Sequence, residues 1–182
     1  MSDRMALATG RLQLRPWRPG DFADVLEYAG DAEFSRFLPA VPFPYTINDA
    51  EQFVARCVAA PWETNPRFAI VFEGRVVGSV ELRVLPGDRV AEVGYALARR
   101  FWGKGYMTEA AGAVIAWAFR SLDLVKIWAT ADAKNTASWR VMEKLGMQRE
   151  GFLRSHRMGR GERADMVQYG LLRSEWRPGS SD

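Results

Sequence analysis

A strand followed by a glycine-bearing turn and a long helix is the feature that most constrains the fold of this chain. Residues 91–97 alternate, with large apolar side chains on one face and Glu92, Gly94 and Ala96 on the other, as in a half-buried strand. From Met107 onward, apolar residues recur at helical spacing. The stretch between them is Trp102-Gly103-Lys104-Gly105. The pattern predicts a strand whose end leads directly into a helix N-terminus.

This turn has the chemistry to hold a phosphate group. The first N–H groups of a helix lack intrahelical partners and carry partial positive charge, and glycines allow a phosphate to approach the backbone closely. Lys104 adds a mobile cation. A plain tight turn would explain the same residues. The sequence fits neither a P-loop, because Gly105 follows Lys104, nor a dinucleotide fingerprint, because Thr108 stands where a third small residue is needed.

Length and composition narrow the function classes. The 182 residues suit one domain, and their 48% hydrophobic and 26% charged content is ordinary for a globular protein. A lone histidine, His156, argues against a metal site and a Ser–His triad, so we expect no metal. A net charge of +3 gives no reason to expect nucleic-acid binding. No apolar run approaches the ~20 residues of a membrane helix, and no signal peptide is evident.

The cysteine usage points to a reducing compartment. Cys57 is the one cysteine and has no partner for an internal disulfide, so we expect a cytoplasmic protein. Cys57 lies on the apolar stripe of a predicted helix, which favours a core position over a role as an acyl carrier.

The remaining pattern predicts one mixed α/β domain in the order β-α-α-β-β-β-α-β-α-β-β. Residues 38–45 and 61–66 read as irregular loops, and we expect residues 1–10 and 177–182 to be flexible tails. The predicted strands are 11–17, 68–72, 76–84, 91–97, 126–130, 147–156 and 165–172, and the predicted helices are 21–29, 48–58, one beginning at 107, and 135–145.

A second motif opens the helix that follows the strand 126–130. Asn135 is a suitable N-cap and Ser138 lies in the first helical turn, which explains both residues without any further role. The first turn of this helix is nevertheless expected at the same edge of the sheet as the Gly-x-Gly turn. Both motifs would then face one site.

Together these motifs resemble those of the Gcn5-related N-acetyltransferase (GNAT) superfamily, and within it the RimJ/RimL-type ribosomal-protein N-acetyltransferases. The resemblance covers residues 11–176. It is carried by W-G-x-G followed by Tyr106-Met107-Thr108-Glu109-Ala110, by Asn135-x-x-Ser138, and by Glu175-Trp176. Trp102 and Met107 depart from the general superfamily pattern, Gln/Arg-x-x-Gly-x-Gly/Ala, in the manner of that branch.

The resemblance implies a fold and a cosubstrate. We expect one α/β domain over residues 11–176, with a central, mostly antiparallel sheet of about seven strands flanked by helices and a V-shaped splay between the central strands. Acetyl-coenzyme A (acetyl-CoA) would lie in that splay. The residues implied to bind it are Tyr95, Ala96 and Leu97 through their main chain, Gly103, Lys104, Gly105, Tyr106, Met107 and Thr108 at the pyrophosphate, and Asn135 and Met142 along the pantetheine arm.

The implied reaction needs a neutral amine and a proton for the departing thiolate. An α-amine has an ordinary pKa of about 8 against about 10.4 for lysine, so a modest base is enough for the former. Glu92 on the central strand is the candidate base, although an exposed strand glutamate needs no such role. Ser138 is the proton donor that the branch resemblance implies. Glu109 is favoured as a complement to the helix dipole.

The acceptor is the least determined part of the prediction. The branch resemblance implies a protein N-terminal α-amine, with a ribosomal protein as a possible partner. Small amines, such as polyamines, amino-sugar antibiotics or amino acids, are alternatives, and so are a non-catalytic acetyl-CoA sensor and a nucleotide-binding domain. The arginines of residues 149–163 favour a solvated hairpin face over contact with the coenzyme 3′-phosphate, a ribosome surface or an acidic partner. Either a monomer or a homodimer is compatible with the sequence.

Overall fold

The structure is a computed structural model that describes residues 4–177. Its helices are α1 (Phe22–Ala29), α2 (Ala32–Ser35), α3 (Ile47–Ala59), α4 (Tyr106–Ser121) and α5 (Thr136–Lys144). Its strands are β1 (Leu7–Ala8), β2 (Gln13–Pro16), β3 (Arg67–Phe72), β4 (Arg75–Leu85), β5 (Val90–Leu97), β6 (Lys126–Asp132), β7 (Gln148–Gly159) and β8 (Glu162–Leu172).

The strands form one open sheet in the order β1-β2-β3-β4-β5-β6-β8-β7. Every neighbouring pair is antiparallel except β5 and β6, which confirms the mixed, mostly antiparallel sheet. The sheet has eight strands among the described residues, where about seven were expected. The additional strand is β1, because Leu7 and Ala8 pair with β2 instead of belonging to a tail. Of the other predicted tail, residues 178–182 lie outside the described residues.

The two parallel strands separate soon after they meet. β5 and β6 pair only from Val90 to Glu92, opposite Lys126 to Trp128. Beyond Glu92, β5 continues to Leu97 beside β4 alone, and β6 continues beside β8 alone. The V-shaped splay expected between the central strands is therefore present. It leaves one main-chain edge of β5 facing a gap in the sheet.

Helices cover both faces of the sheet. On one face, α4 packs on the strands through its apolar stripe, in a cluster that includes Val93 and Leu97 of β5 and Met142 of α5. On the other face, α1 and α3 pack on β3 and β4, around Val25, Val54 and Cys57. Helices of both layers thus reach the gap between β5 and β6. Within residues 4–177, no helix combines the length and hydrophobicity needed to cross a membrane.

Local sequence signals account for the helix ends near the gap. Gly105 precedes α4 with a φ of +80°, in the left-handed region that glycine adopts at little cost. Asn135 caps α5, its side chain accepting a hydrogen bond from the Ser138 amide at 3.3 Å. α2 was not predicted, and β7 and β8 extend further toward their shared turn than expected. The first turns of α4 and α5, which were predicted to face one site, lie at the same edge of the sheet.

Candidate active site

The N-terminus of α4 presents free backbone donors to the gap. The first hydrogen bond of its ladder runs from the Glu109 amide to the Gly105 carbonyl at 3.0 Å. Within the described residues, the amides of Tyr106, Met107 and Thr108 accordingly have no intrahelical acceptor. Gly103 also has a positive φ, +71°, and no neighbouring atom crowds its α-carbon. The turn is shaped to receive an anion.

An ion pair with the N-terminal segment braces this turn. Arg11 Nε lies 2.6 Å from Glu109 Oε2, and Arg11 Nη1 donates to the Lys104 carbonyl at 3.1 Å. The Thr9 hydroxyl donates to Glu109 at 2.6 Å. Burial opposes ionisation of Glu109, but the hydrogen bonds from Thr9 and Arg11 outweigh it and lower the pKa of that carboxyl. Glu109 therefore joins the turn to the edge of the sheet. This is a more specific role than the predicted one of complementing the helix dipole.

A cleft of about 650 Å³, here called the turn cleft, extends from this helix end to the first turn of α5. It unites most of the residues implied to bind acetyl-CoA. Those that line it are Tyr95, Ala96, Leu97, Gly103, Gly105, Tyr106, Met107, Thr108 and Asn135, and the candidate proton donor Ser138 lines it as well.

Three predicted residues lie outside the turn cleft. Lys104 is exposed and its Nζ donates to the Arg100 carbonyl at 2.9 Å, so it is turned back on the preceding bend. Met142 is 1% exposed, packs in the core beneath α5 and also lines the cavity that Glu92 borders. Glu92 borders a separate cavity. The main chain of Leu97 lines the cleft, but its carbonyl already accepts from Trp102 Nε1 at 2.6 Å.

The second cavity, here called the strand cavity, has a volume of about 920 Å³. Its floor is the β4–β5 face, where Glu92 forms an ion pair with Arg83 directly opposite on β4. A second pair lies beside it, between Arg67 Nε and Glu81 Oε2 at 3.2 Å. The walls are aromatic and come from the early helices and loops: Trp17, Tyr28, Phe34, Tyr45 and Phe53. Several aromatic residues of these segments thus line a cavity.

Cys57 also borders the strand cavity. Burial raises the pKa of its thiol, although Arg67 Nη1 lies 3.6 Å from the sulfur and acts in the opposite direction. A protonated, 5% exposed thiol is a poor nucleophile. This agrees with a core position for Cys57.

The turn cleft and the strand cavity meet at Tyr95, Asn135 and Ser138, which line both. The Ser138 hydroxyl donates to Tyr95 Oη at 3.2 Å, and the Tyr95 hydroxyl donates to the Ser138 carbonyl at 2.9 Å. Burial raises the pKa of Tyr95 to about 12, with the hydrogen bond from Ser138 opposing that shift. The phenol is therefore protonated at neutral pH. Asn135 Nδ2 donates no hydrogen bond within residues 4–177 and is available to a ligand.

Sequence reasoning missed two side chains of this site. Tyr95 was assigned only through its main chain, whereas its hydroxyl contacts Ser138 on α5. Arg11, which braces the turn, comes from a distant segment and belongs to no local motif. The alternation of β5 was the one available signal for Tyr95, since it placed that side chain on the face of Val93 and Leu97.

Comparison with known proteins identifies the family to which this chain belongs. A family model described as "Acetyltransferase (GNAT) domain" matches residues 11–148. The chain belongs to the GNAT family. The resemblance of its motifs to that superfamily is thereby confirmed, as is the GNAT fold.

Full-length relatives support the assignment to the GNAT family. The uncharacterized N-acetyltransferase YnaD of Bacillus subtilis is 30% identical over 94% of this chain and 99% of its own length. The crystal structure of a GNAT-family acetyltransferase from Bacillus anthracis superposes with a TM-score of 0.84 and 31% identity, covering 94% of this chain and 100% of that one.

One partial relative has a named acceptor. The Escherichia coli [ribosomal protein uS5]-alanine N-acetyltransferase is 30% identical over 87 residues, which are 48% of this chain and 45% of its own.

The GNAT domain makes this protein an acyltransferase, and acetyl-CoA is its acetyl donor. No group of three or more His, Cys, Asp or Glu side chains within residues 4–177 is placed to hold a metal ion.

Proposed function

We propose that this GNAT enzyme transfers an acetyl group from acetyl-CoA to the α-amine at a protein N-terminus, by direct attack in a ternary complex. One observation carries the proposal. The turn cleft, with its free helix amides, and the strand cavity, with its carboxylates, meet at Tyr95, Asn135 and Ser138. An acyl donor and an amine acceptor that enter from the two sides would meet at this junction.

The turn cleft suits a thioester coenzyme. The amides of Tyr106, Met107 and Thr108 and the open backbone at Gly103 would receive the pyrophosphate. Asn135 Nδ2 and the β5 main chain at Tyr95 and Ala96 would hold the amide groups of the pantetheine arm, because that edge of β5 has no strand beside it. When bound, acetyl-CoA supplies an activated acetyl group.

The strand cavity suits the amine. Glu92 borders it, and its carboxylate is one quarter exposed, so it remains reachable from the cavity. An α-ammonium with an ordinary pKa of about 8 loses its proton readily to such a base, directly or through a water. Arg83, paired with Glu92, holds the carboxylate in place on the cavity floor.

Ser138 and Tyr95 suit the departure of the thiolate. The Ser138 hydroxyl is the donor assigned to the sulfur, and Tyr95 Oη, 3.2 Å away, fixes its position. The Tyr95 proton itself is directed to the Ser138 carbonyl, so the serine would regain from solvent the proton that it gives up. Tyr95 is a positioning residue in this scheme.

Two observations favour a protein N-terminus over a small amine. The strand cavity, at about 920 Å³, is near the upper end of small-molecule sites and has room for the first residues of an extended peptide. In addition, the chain is 30% identical over 87 residues to the uS5-alanine N-acetyltransferase. A ribosomal protein is therefore the acceptor to be tried first.

The test combines binding and turnover. We expect acetyl-CoA to raise the Tm and ATP to leave it unchanged, because only a ligand of the folded state stabilises it. Free thiol should then be released with a peptide bearing a free N-terminus and not with the same peptide blocked at its N-terminus. A Tm rise without thiol release from peptides or small amines would favour a sensor. Thiol release from small amines alone would refute the peptide acceptor.

A further inference from the structure

The strand cavity carries more positive than negative charge. Among the described residues that line it, cationic side chains outnumber carboxylates. An amine usually approaches as an ammonium ion, so this excess is unfavourable for a substrate that carries no other charge. A substrate that also bears an anionic group would gain from the same field.

The excess does not lie on the floor of the cavity. Arg67 and Arg83 are each opposite a carboxylate, Glu81 and Glu92, in an ion pair across the β-ladder. These pairs balance their own charge. Of the remaining cations, Arg36 and Lys134 line both cavities, whereas Arg157, Arg160 and Arg163 lie toward the turn between β7 and β8, at the far end of the strand cavity.

Arg157 is the arginine at that end without a partner of its own. Within residues 4–177 its guanidinium makes no hydrogen bond, ion pair or ring contact. Arg160 instead donates to the carbonyls of Ser35 and Val41, and Arg163 donates to the carbonyl of Ser155. Lys134 Nζ also has no partner among the described residues, but Lys134 lines both cavities beside Asn135. Arg157 is thus the free cation at the far end of the strand cavity.

The register of the hairpin places Arg157 on the cavity side. Arg157 pairs with Ala164, and both line the cavity together with Met166, two residues further along β8. The carboxylate nearest along this face is Glu162, which pairs with Gly159 and forms no ion pair among the described residues. The negative charge of Glu162 makes the local electrostatic potential less positive, but its carboxylate does not bind the Arg157 guanidinium.

The ladder also gives the distance to the junction. Tyr95 is level with Ala131 of β6 if the β5–β6 register is continued, and Ala131 pairs with Val167 of β8. Ala164, opposite Arg157, is three residues beyond Val167, or about 10 Å along the strand. Arg157 is also three strands away from β5 in the sheet order, about 14 Å at the usual strand spacing. The two residues are therefore roughly 17 Å apart, which is the span of about five residues of an extended peptide.

We propose that the acceptor carries a carboxylate about five residues beyond its reactive amine, and that Arg157 binds this carboxylate. The proposal rests on the proposed function and names the acceptor as an N-terminus followed by acidic residues. Arg157 then sets specificity through a charge-assisted hydrogen bond, with its arginine fork available for a bidentate contact.

The test uses one peptide in three forms that differ only at residues five and six, with Glu, Gln or Lys at both. With the unaltered enzyme we expect kcat/KM for the Glu peptide to exceed that for the Gln peptide about tenfold, as one charge-assisted hydrogen bond allows. Arg157→Ala should remove this preference, and Arg157→Glu should turn it toward the Lys peptide. Equal rates for the Glu and Gln peptides, or a preference that survives in Arg157→Ala, would overturn the proposal.

Arg154 provides the matched control. It lies on the same strand, is exposed, and lines neither the strand cavity nor the turn cleft. Arg154→Ala should keep the full preference for the Glu peptide; an equal loss would mean a diffuse effect of net charge and no site at Arg157. The Tm and its rise with acetyl-CoA should be the same in all variants.

Failure of the proposed function gives a different result. If no peptide is acetylated, the acceptor is not a protein N-terminus, and the same variants are assayed with a small amine that carries a carboxylate and with its carboxamide. A preference for the carboxylate that depends on Arg157 would support the anion site without the peptide acceptor. No preference there would refute the anion site as well.

Discussion

Tyr95 and Ser138 exchange hydrogen bonds across the point where the sheet opens. The Ser138 hydroxyl donates to Tyr95 Oη at 3.2 Å, and the Tyr95 hydroxyl donates to the Ser138 carbonyl at 2.9 Å. β5 and β6 no longer pair at this level, so these bonds fix the first turn of α5 against β5. The same two side chains border both cavities. The splay of the strands and the position of Ser138 therefore depend on each other.

Tyr95→Phe should lower kcat about tenfold, less than the loss of a proton-transfer group itself, because Ser138 loses its fixed position. The KM for acetyl-CoA should change little. The free energy of unfolding should fall by about 1 kcal/mol for the lost hydrogen bond. Steady-state kinetics and denaturant unfolding measure both effects.

Tyr169→Phe is the control for that loss. Tyr169 is buried and its hydroxyl bonds Glu143 at 3.1 Å, away from both cavities. The Tyr169→Phe variant should show a similar fall in the free energy of unfolding and an unchanged kcat. If neither variant changes kcat, Tyr95 does not position the proton donor.

Glu92→Gln should lower kcat/KM about 100-fold at neutral pH, because an amide cannot accept the proton of the amine. The deficit should shrink as the pH rises past about 8, where the α-amine is already neutral. A pH–rate profile with one peptide measures this. Glu81→Gln, in the neighbouring ion pair of the same cavity, should lower the rate far less. Equal losses in the two variants would indicate a loss of cavity charge and no general base.

Gly105→Ala should destabilise the protein by about 1–2 kcal/mol, since Gly105 has a φ of +80° that a residue with Cβ adopts only under strain. The new methyl would also lie 3.5 Å from Arg11 Nη2. We expect weaker acetyl-CoA binding by calorimetry. Gly87→Ala, where no atom lies within 4 Å of the added carbon and φ is not positive, should change neither quantity. Unchanged acetyl-CoA affinity in Gly105→Ala would argue against a coenzyme contact at this turn.

Glu109 should make stability depend on pH in acid. The pKa of Glu109 is lower in the folded protein than its ordinary value, so its contribution is complete above about pH 4.5 and is lost as the pH falls through the lowered folded value. The difference in unfolding free energy between the unaltered protein and Glu109→Gln should therefore be constant near pH 7 and shrink below about pH 4. A constant difference down to pH 3 would contradict the role of the Thr9 and Arg11 hydrogen bonds. Glu63→Gln, at an exposed site, should show no such trend.

The parts of the site that follow from local sequence were predictable. The period change after β5, the glycines of the turn and the Asn135 cap are each set by neighbouring residues, and the structure has all three. The mostly antiparallel sheet and the splay were expected through the family resemblance, because no local pattern encodes which strands pair.

Contacts between distant segments were not predictable. Thr9 and Arg11 bond Glu109 because β1 and β2 pass beside α4. Leu7 and Ala8, which we had expected in a tail, pair with β2 in the same part of the sheet. Lys104 is exposed, so its sequence position beside two glycines did not determine where its long side chain would point.

The most direct test of the proposed function is to locate the acetyl group on a peptide that carries both a free N-terminus and an internal lysine. The enzyme, acetyl-CoA and the peptide are incubated, and the product is fragmented by mass spectrometry. The proposed function predicts one acetyl group, on the α-amine. An acetyl group on the lysine side chain, or an unmodified peptide under conditions where a small amine is acetylated, would contradict it.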